Sequence, residues 1–174
     1  DSVELCRCGK TGCLEAVASG WALVRDATAA LEGGASSRLV QSLESGEGLT
    51  PEIIARAAED GDALSIELIQ NSARTAGEAI AALVNMFNPG VIVIGGAVAA
   101  AGELFLAEVR QRVYELSLPL ATRDLVIVNT ADDVRQPLRG GAELAREQLF
   151  EITFPRWFAD GRPTPAAVRA LAAE

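Results

Sequence analysis

Three cysteines fall within eight residues, Cys6-Arg7-Cys8-Gly9-Lys10-Thr11-Gly12-Cys13, and no other residue types in the chain are spaced so well for chemistry. Gly9 and Gly12 supply tight turns that let thiolates converge, so C-x-C-G-x-x-G-C reads as three ligands of a tetrahedral zinc site. The fourth ligand is missing from the motif. The chain has no histidine, so the last position falls to water or to a group outside the chain, or the site is incomplete. Buried free thiols and an exposed redox pair are the alternatives. Cys6 and Cys8 are too close for an unstrained disulfide, whereas Cys6 with Cys13 is geometrically possible.

The elements that must position this loop follow it. Cys13 to Ser19 reads as a short helix, and Trp21 to Leu31 as a second that ends at Gly33-Gly34. Small and polar residues from Ala35 to Thr50 interrupt the pattern. Thr50 then caps a helix that begins with Pro51 and runs to about Asp60. The clearest element spans about Leu64 to Phe87. Ile66, Ile69, Ala73, Ala76, Ile80, Leu83 and Phe87 recur at steps of three and four, and Leu64, Leu68, Ala79 and Val84 widen the stripe. This predicts a central helix covered on more than one side. Asn88-Pro89-Gly90 stops it, and Val91-Ile92-Val93-Ile94 follows as a β-branched run of the kind buried on both faces of a parallel sheet. A helix over Gly102–Leu118, closed by Pro119, and a second strand at Leu125–Val128 complete a parallel crossover. A last helix over about Leu138–Phe150 precedes a tail expected to be irregular, with Trp157 and Phe158 as packing residues and a short helix at Pro165–Ala173.

Composition narrows the function classes. A chain of 174 residues with 49% apolar content can bury a core without cross-links, so a metal would brace one loop and not the whole fold. A net charge of −9 argues against nucleic-acid binding by this domain, since phosphate contacts need concentrated Lys and Arg. Clustered cysteines do not make a secreted disulfide framework, and no signal peptide or long apolar span is present, so a cytoplasmic protein without membrane contact is expected. Asp132, Asp133 and Glu143 lack any histidine, cysteine or lysine constellation and read as solvated surface. Arg135, Arg139 and Arg146 are interleaved with acids and do not form a basic face.

Three stretches, CRCGKTGCLEAVASG, NMFNPGVIVIGGAVAAAGELFLAEVR and LRGGAELA, together resemble the C-terminal half of the ROK family, which comprises sugar kinases and sugar-responsive repressors. The resemblance covers about residues 5–150. It implies an α/β fold: the distal part of the C-terminal lobe of an actin-like ATPase (ribonuclease H-like) fold, with parallel crossover strands, long helices and a zinc-type cysteine loop. On this basis residues 1–150 form the lobe and 151–174 a tail. The resemblance further implies that a histidine upstream of Asp1 completes the zinc site of Cys6, Cys8 and Cys13. It also places the phosphate-binding Asp-x-Gly-x-Thr loop and the catalytic aspartate upstream, leaving no catalytic residue in this chain and no kinase activity for it alone.

Glu15 matches the family position whose carboxylate accepts hydrogen bonds from sugar hydroxyls; without that resemblance it reads as a first-turn acid complementing a helix dipole. Gly95 and Gly96 match the adenosine-side turn, although family kinases often carry a third glycine where this chain has Ala97. An ordinary strand-to-helix turn explains the pair equally. The expectation is the sugar-sensing effector domain of a repressor, with DNA bound by a separate segment. The alternatives are the C-terminal lobe of an ATP- and magnesium-dependent hexose or N-acetylhexosamine kinase, and a structural zinc domain used for assembly. Homo-oligomers are expected in each case.

Overall fold

The computed structural model describes residues 4–130, 136–159, 161, 164–166 and 169. These belong to two units, Asp1–Asp132 and Asp133–Glu174.

In the first unit, helices α1 (Glu15–Ala18), α2 (Gly20–Glu32), α3 (Leu39–Glu44), α4 (Pro51–Glu59) and α5 (Ala63–Phe87) lead into strand β1 (Val91–Ile94). A short 3-10 turn at Ala97–Ala101, helix α6 (Gly102–Leu116), helix α7 (Pro119–Thr122) and strand β2 (Val126–Asn129) follow. The two strands pair in parallel, Val91 opposite Val126 and Ile94 opposite Asn129, with α6 as the crossover. The Thr50 hydroxyl accepts from Ile53 N–H, the cap the sequence predicts, and the structure adds a second cap, Asp62, which starts α5 by accepting from Ser65 N–H. At the far end of α5, Asn88 takes the left-handed conformation (φ 47°), which a short polar side chain tolerates better than most.

The core gathers Leu23, Leu39, Ile54, Ile69, Val84, Phe105, Val109, Val113 and Ile127 around α5. α5 packs along α6 and also meets α1, α2 and α4, as a central helix should. Its buried face differs in detail from the predicted stripe. Ser65, Ser72 and Gly77 are buried, whereas Leu83 and Phe87 are exposed: in these last turns Ala81 and Val84 take the core-facing positions. A methyl group on Gly77 would stand 2.8 Å from Arg112 Cβ and 3.3 Å from Val109 O, so the missing side chain lets the α6 backbone approach.

Three expectations are corrected. The strands are not buried on both faces: Val91, Val93 and Val126 are half or more exposed, while Ile94 and Ile127 face the core. Within this unit, the described helices cover one side of the two-stranded sheet. α3 lies inside the stretch read as interrupted, and α7 follows Pro119, which terminates α6 but sits comfortably in the first turn of a new helix. Asn85 holds this corner, its amide donating to Leu116 O and accepting from Leu118 N–H.

The second unit contains α8 (Gln136–Glu147), a π-helical turn at Gln148–Thr153 and α9 (Phe154–Ala159). The expected irregular tail is therefore helical through Ala159. Pro155 does not break it, because the widened turn precedes α9 and proline falls in the first turn, where its missing N–H costs no hydrogen bond. Phe150 and Phe154 meet edge-to-face with centroids 5.0 Å apart, and Phe154 lies 5.4 Å from Trp157. Phe158 is exposed. Glu143 is exposed and pairs with Arg146 at 2.6 Å, consistent with solvated surface. Asp132, Asp133 and Arg135, with most of the expected Pro165–Ala173 helix, lie outside the described residues.

Candidate functional site

The cysteine loop is a tight hairpin. Leu5 and Thr11 form an antiparallel bridge, Cys6 N–H donates to Lys10 O (2.8 Å), and Gly9 N–H donates to Cys6 O (2.9 Å). Gly9 and Gly12 have φ of 84° and 75°, values that side chains other than glycine's rarely adopt. The three Sγ atoms lie within 4.8 Å of one another, with Cys8 and Cys13 3.6 Å apart, and all three cysteines are free. Metal–sulfur bonds of about 2.3 Å in a tetrahedron set sulfur–sulfur edges near 3.8 Å, so the thiols fit three corners of such a site. The Lys10 backbone N–H, followed by the Cys13 thiol, stabilises the Cys8 thiolate and lowers its pKa. Cys13, as donor to Cys8 and then Cys6, is pushed up to about 11.

Immediately beyond the loop, α1 and α2 form one wall of a cavity of about 820 Å³. Glu15, the first residue of α1, lines it, and so do Gly95 and Gly96 from the turn after β1. The predicted sugar-side and nucleotide-side residues therefore meet in one space. The cysteine thiols do not line it; the loop reaches it through Arg7. Glu15 also borders a smaller, apolar cavity of about 350 Å³ against Ile80, Ile94 and Phe105.

Both glycines of the turn have reasons in the backbone. Gly96 adopts φ 83° and ψ −169°, a region open essentially to glycine alone. A methyl on Gly95 would stand 3.1 Å from Thr130 Oγ1. Across the cavity, a methyl on Gly20 would stand 2.9 Å from both Ala97 Cβ and Pro51 Cγ, so the turn and the start of α2 are already in contact.

Sequence reasoning missed the tryptophan and arginines of this wall. The Trp21 ring has two guanidinium neighbours, Arg7 at 4.9 Å and Arg25 at 5.1 Å from its centroid. Arg25 is anchored, donating to Ala16 O (2.8 Å) and pairing with Asp26 (2.7 Å). Trp21 Nε1–H is buried and has no hydrogen-bond partner among the described residues. The available signal was the arginine lodged between two ligand-type cysteines and a tryptophan at a helix start.

A ROK-family model matches residues 1–148, and the chain belongs to the ROK family. It is 31% identical over 149 residues to the DNA-binding transcriptional dual regulator NagC of Escherichia coli, covering 86% of this chain and 36% of that protein. It is 39% identical over 114 residues to a glucokinase of Halalkalibacterium halodurans, covering 66% of this chain and 34% of the enzyme. A crystal structure of a ROK family transcriptional regulator, a homologue of the E. coli MLC protein, superimposes with a TM-score of 0.78 at 35% identity, covering 91% of this chain and 39% of that one. The chain thus spans about a third of the length of the curated relatives it matches. Among the described residues no helix is long and apolar enough to cross a membrane.

Proposed function

We propose that this chain is the sugar-sensing effector lobe of a ROK-type transcriptional regulator, corresponding to the distal part of the C-terminal lobe, with DNA contacted by a separate segment. Sugar binding would act by favouring one arrangement of the lobe relative to its neighbours. Glu15 is the proposed sugar reader. α1 has only four residues, too short for the dipole role to account well for an acid at its start, and this carboxylate opens onto a cavity that also holds donors. The observation that carries the regulator reading is Ala97: where a nucleotide turn is expected to keep a third glycine, this chain has a methyl, and it lies so close to Gly20 that a Cβ there would stand 2.9 Å from it. Cys6, Cys8 and Cys13 would hold a structural zinc, which would brace the loop leading into α1.

The kinase-lobe reading draws on the glucokinase relative and on Glu15 sharing a cavity with Gly95 and Gly96. Magnesium-ATP would then be the cofactor. If no sugar binds, the assembly-domain reading takes precedence.

Calorimetric titration with a panel of hexoses and N-acetylhexosamines, using wild type and Glu15→Gln, tests the site. Gln keeps the shape, removes the charge and converts one acceptor to a donor. Affinity should fall by about 1.5–3 kcal/mol, the range for hydrogen bonds to charged groups, with melting unchanged. Unchanged affinity removes Glu15 from the site. ATP-dependent sugar phosphorylation by the protein, or saturable ATP binding in the cavity, overturns the regulator reading.

A further inference from the structure

Arg7 belongs to two structures at once. Its backbone lies between Cys6 and Cys8, inside the tight hairpin, while its exposed side chain lines the cavity and lies against the Trp21 ring, 4.9 Å from the centroid. Unlike Arg25, Arg7 has no carboxylate or carbonyl partner among the described residues; the indole is its sole defined contact. Trp21 belongs to α2, is not one of the candidate metal ligands, and lines the same cavity. Whatever fixes the backbone of residues 6–8 therefore fixes one wall of the cavity, and whatever holds Trp21 helps to hold the hairpin.

We infer that the Arg7–Trp21 contact couples metal occupancy of the cysteine loop to the shape of the cavity. Three thiolates gathered on one ion restrain the hairpin on both sides of Arg7, keeping the guanidinium over the indole. An empty loop releases it. Coupling free energy is reciprocal, so the indole must strengthen metal binding by the factor by which the metal strengthens the Arg7–Trp21 contact. An exposed cation–π contact sets that factor at about two- to fivefold. The inference rests on metal binding by Cys6, Cys8 and Cys13, and it is independent of which ligand the cavity takes.

The test is a titration of the reduced 174-residue chain with Co²⁺, followed by thiolate-to-metal absorption, and displacement by Zn²⁺. Trp21→Leu and Arg7→Gln should each weaken metal binding about two- to fivefold, and the double variant should weaken it no further than either single one, because both remove the same contact. Trp21→Phe, which keeps an aromatic face, should stay close to wild type and so separates loss of the contact from misfolding. Wild-type affinity in Trp21→Leu, additive losses in the double variant, or equal losses in Trp21→Phe and Trp21→Leu would each overturn the coupling. Failure of the wild-type chain to take up either metal at saturating concentration overturns metal binding by these three thiolates, and the coupling with it. The sugar reading is judged separately by the hexose titrations.

Discussion

Replacing Asp62 tests how the first unit holds its helices together. Its carboxylate, only 6% exposed, accepts four hydrogen bonds: from Ser37 Oγ (2.9 Å), Arg38 N–H (2.9 Å), Ser65 N–H (2.9 Å) and Ser65 Oγ (2.7 Å). It caps α5 and also anchors the entry to α3. Asp62→Ala removes a helix cap, worth about 0.5–2 kcal/mol. It also leaves the Arg38 N–H and a fully buried Ser65 hydroxyl without their acceptor, at about 1–3 kcal/mol for each group that finds no replacement. Allowing for hydroxyl rotation and non-additivity, the loss should be about 3–5 kcal/mol, a large part of an ordinary domain's stability.

Asp62→Asn keeps one acceptor oxygen and should lose less. Burial opposes ionisation of Asp62, but the hydrogen bonds from Ser65, Arg38 and Ser37 outweigh it, so the folded-state pKa lies below the ordinary value of 3.8. The stabilisation is then complete above the unfolded-state pKa and is lost as pH falls through the folded one, so the gap between wild type and Asp62→Asn should close on acidification. Urea unfolding across pH 3–7, about the range that brackets ordinary carboxyl titration, gives both quantities. A loss below about 1 kcal/mol in Asp62→Ala, under the cost of one orphaned buried group, would refute the reasoning, as would a gap that stays constant with pH.

Other outcomes follow from the packing and the loop. Gly77→Val forces side-chain atoms into Arg112 Cβ and Val109 O and should lower stability by about 1–3 kcal/mol despite valine's better helix propensity; urea midpoints check this, and a neutral variant would mean that α6 shifts freely. Zinc should be stripped from this chain by dialysis against a mild chelator, since three thiolates leave an open coordination position. Stoichiometric zinc in elemental analysis after dialysis would show that no upstream histidine is required. Exposed Met86, Phe87, Val91, Val93 and Val126, beside an unpaired strand edge, should drive self-association, and light scattering that finds a monomer throughout the micromolar range would contradict that.

What the sequence made legible was whatever depends on near neighbours. The cysteine spacing, the Thr50 cap, the long period of α5 and the two β-branched runs each carry their own signal within a few residues. α3 does not. Its start depends on Arg38 N–H and Ser37 meeting Asp62 more than twenty residues later, and no local pattern in Ala35–Thr50 announces that partner. The strands' β-branched composition fixed their existence but not their burial, because composition cannot count how many helices cover a sheet. In the second unit, the segment after Phe150 reads as an irregular tail, and no local pattern announces the π turn that lets the helix continue past Pro155. At the site, Glu15, Gly95 and Gly96 were nominated by resemblance, and their sharing one cavity is visible only in the structure. The role of Trp21 is a matter of which two arginines reach one ring.

The loop and the cavity together give a physical reason for a metal at this position. Residues 7–12 are all exposed, and of the hairpin's apolar side chains Leu5 is exposed too, leaving Cys6 as the one buried anchor. Ordering each residue costs about 1–2 kcal/mol in backbone entropy, and here almost no apolar burial offsets it. Backbone hydrogen bonds and glycine turns make the conformation available, but in exposed positions they compete with water and add little net stability. A cross-link through three thiolates removes that freedom from the unfolded loop and holds Cys13 next to the start of α1. With a metal bound, Glu15 would inherit its position from the cysteine loop on one side and from the packing of α1 against α2 and α5 on the other. Loss of metal should therefore reach the cavity before it reaches the core around Ile69 and Phe105, whose burial involves none of the loop.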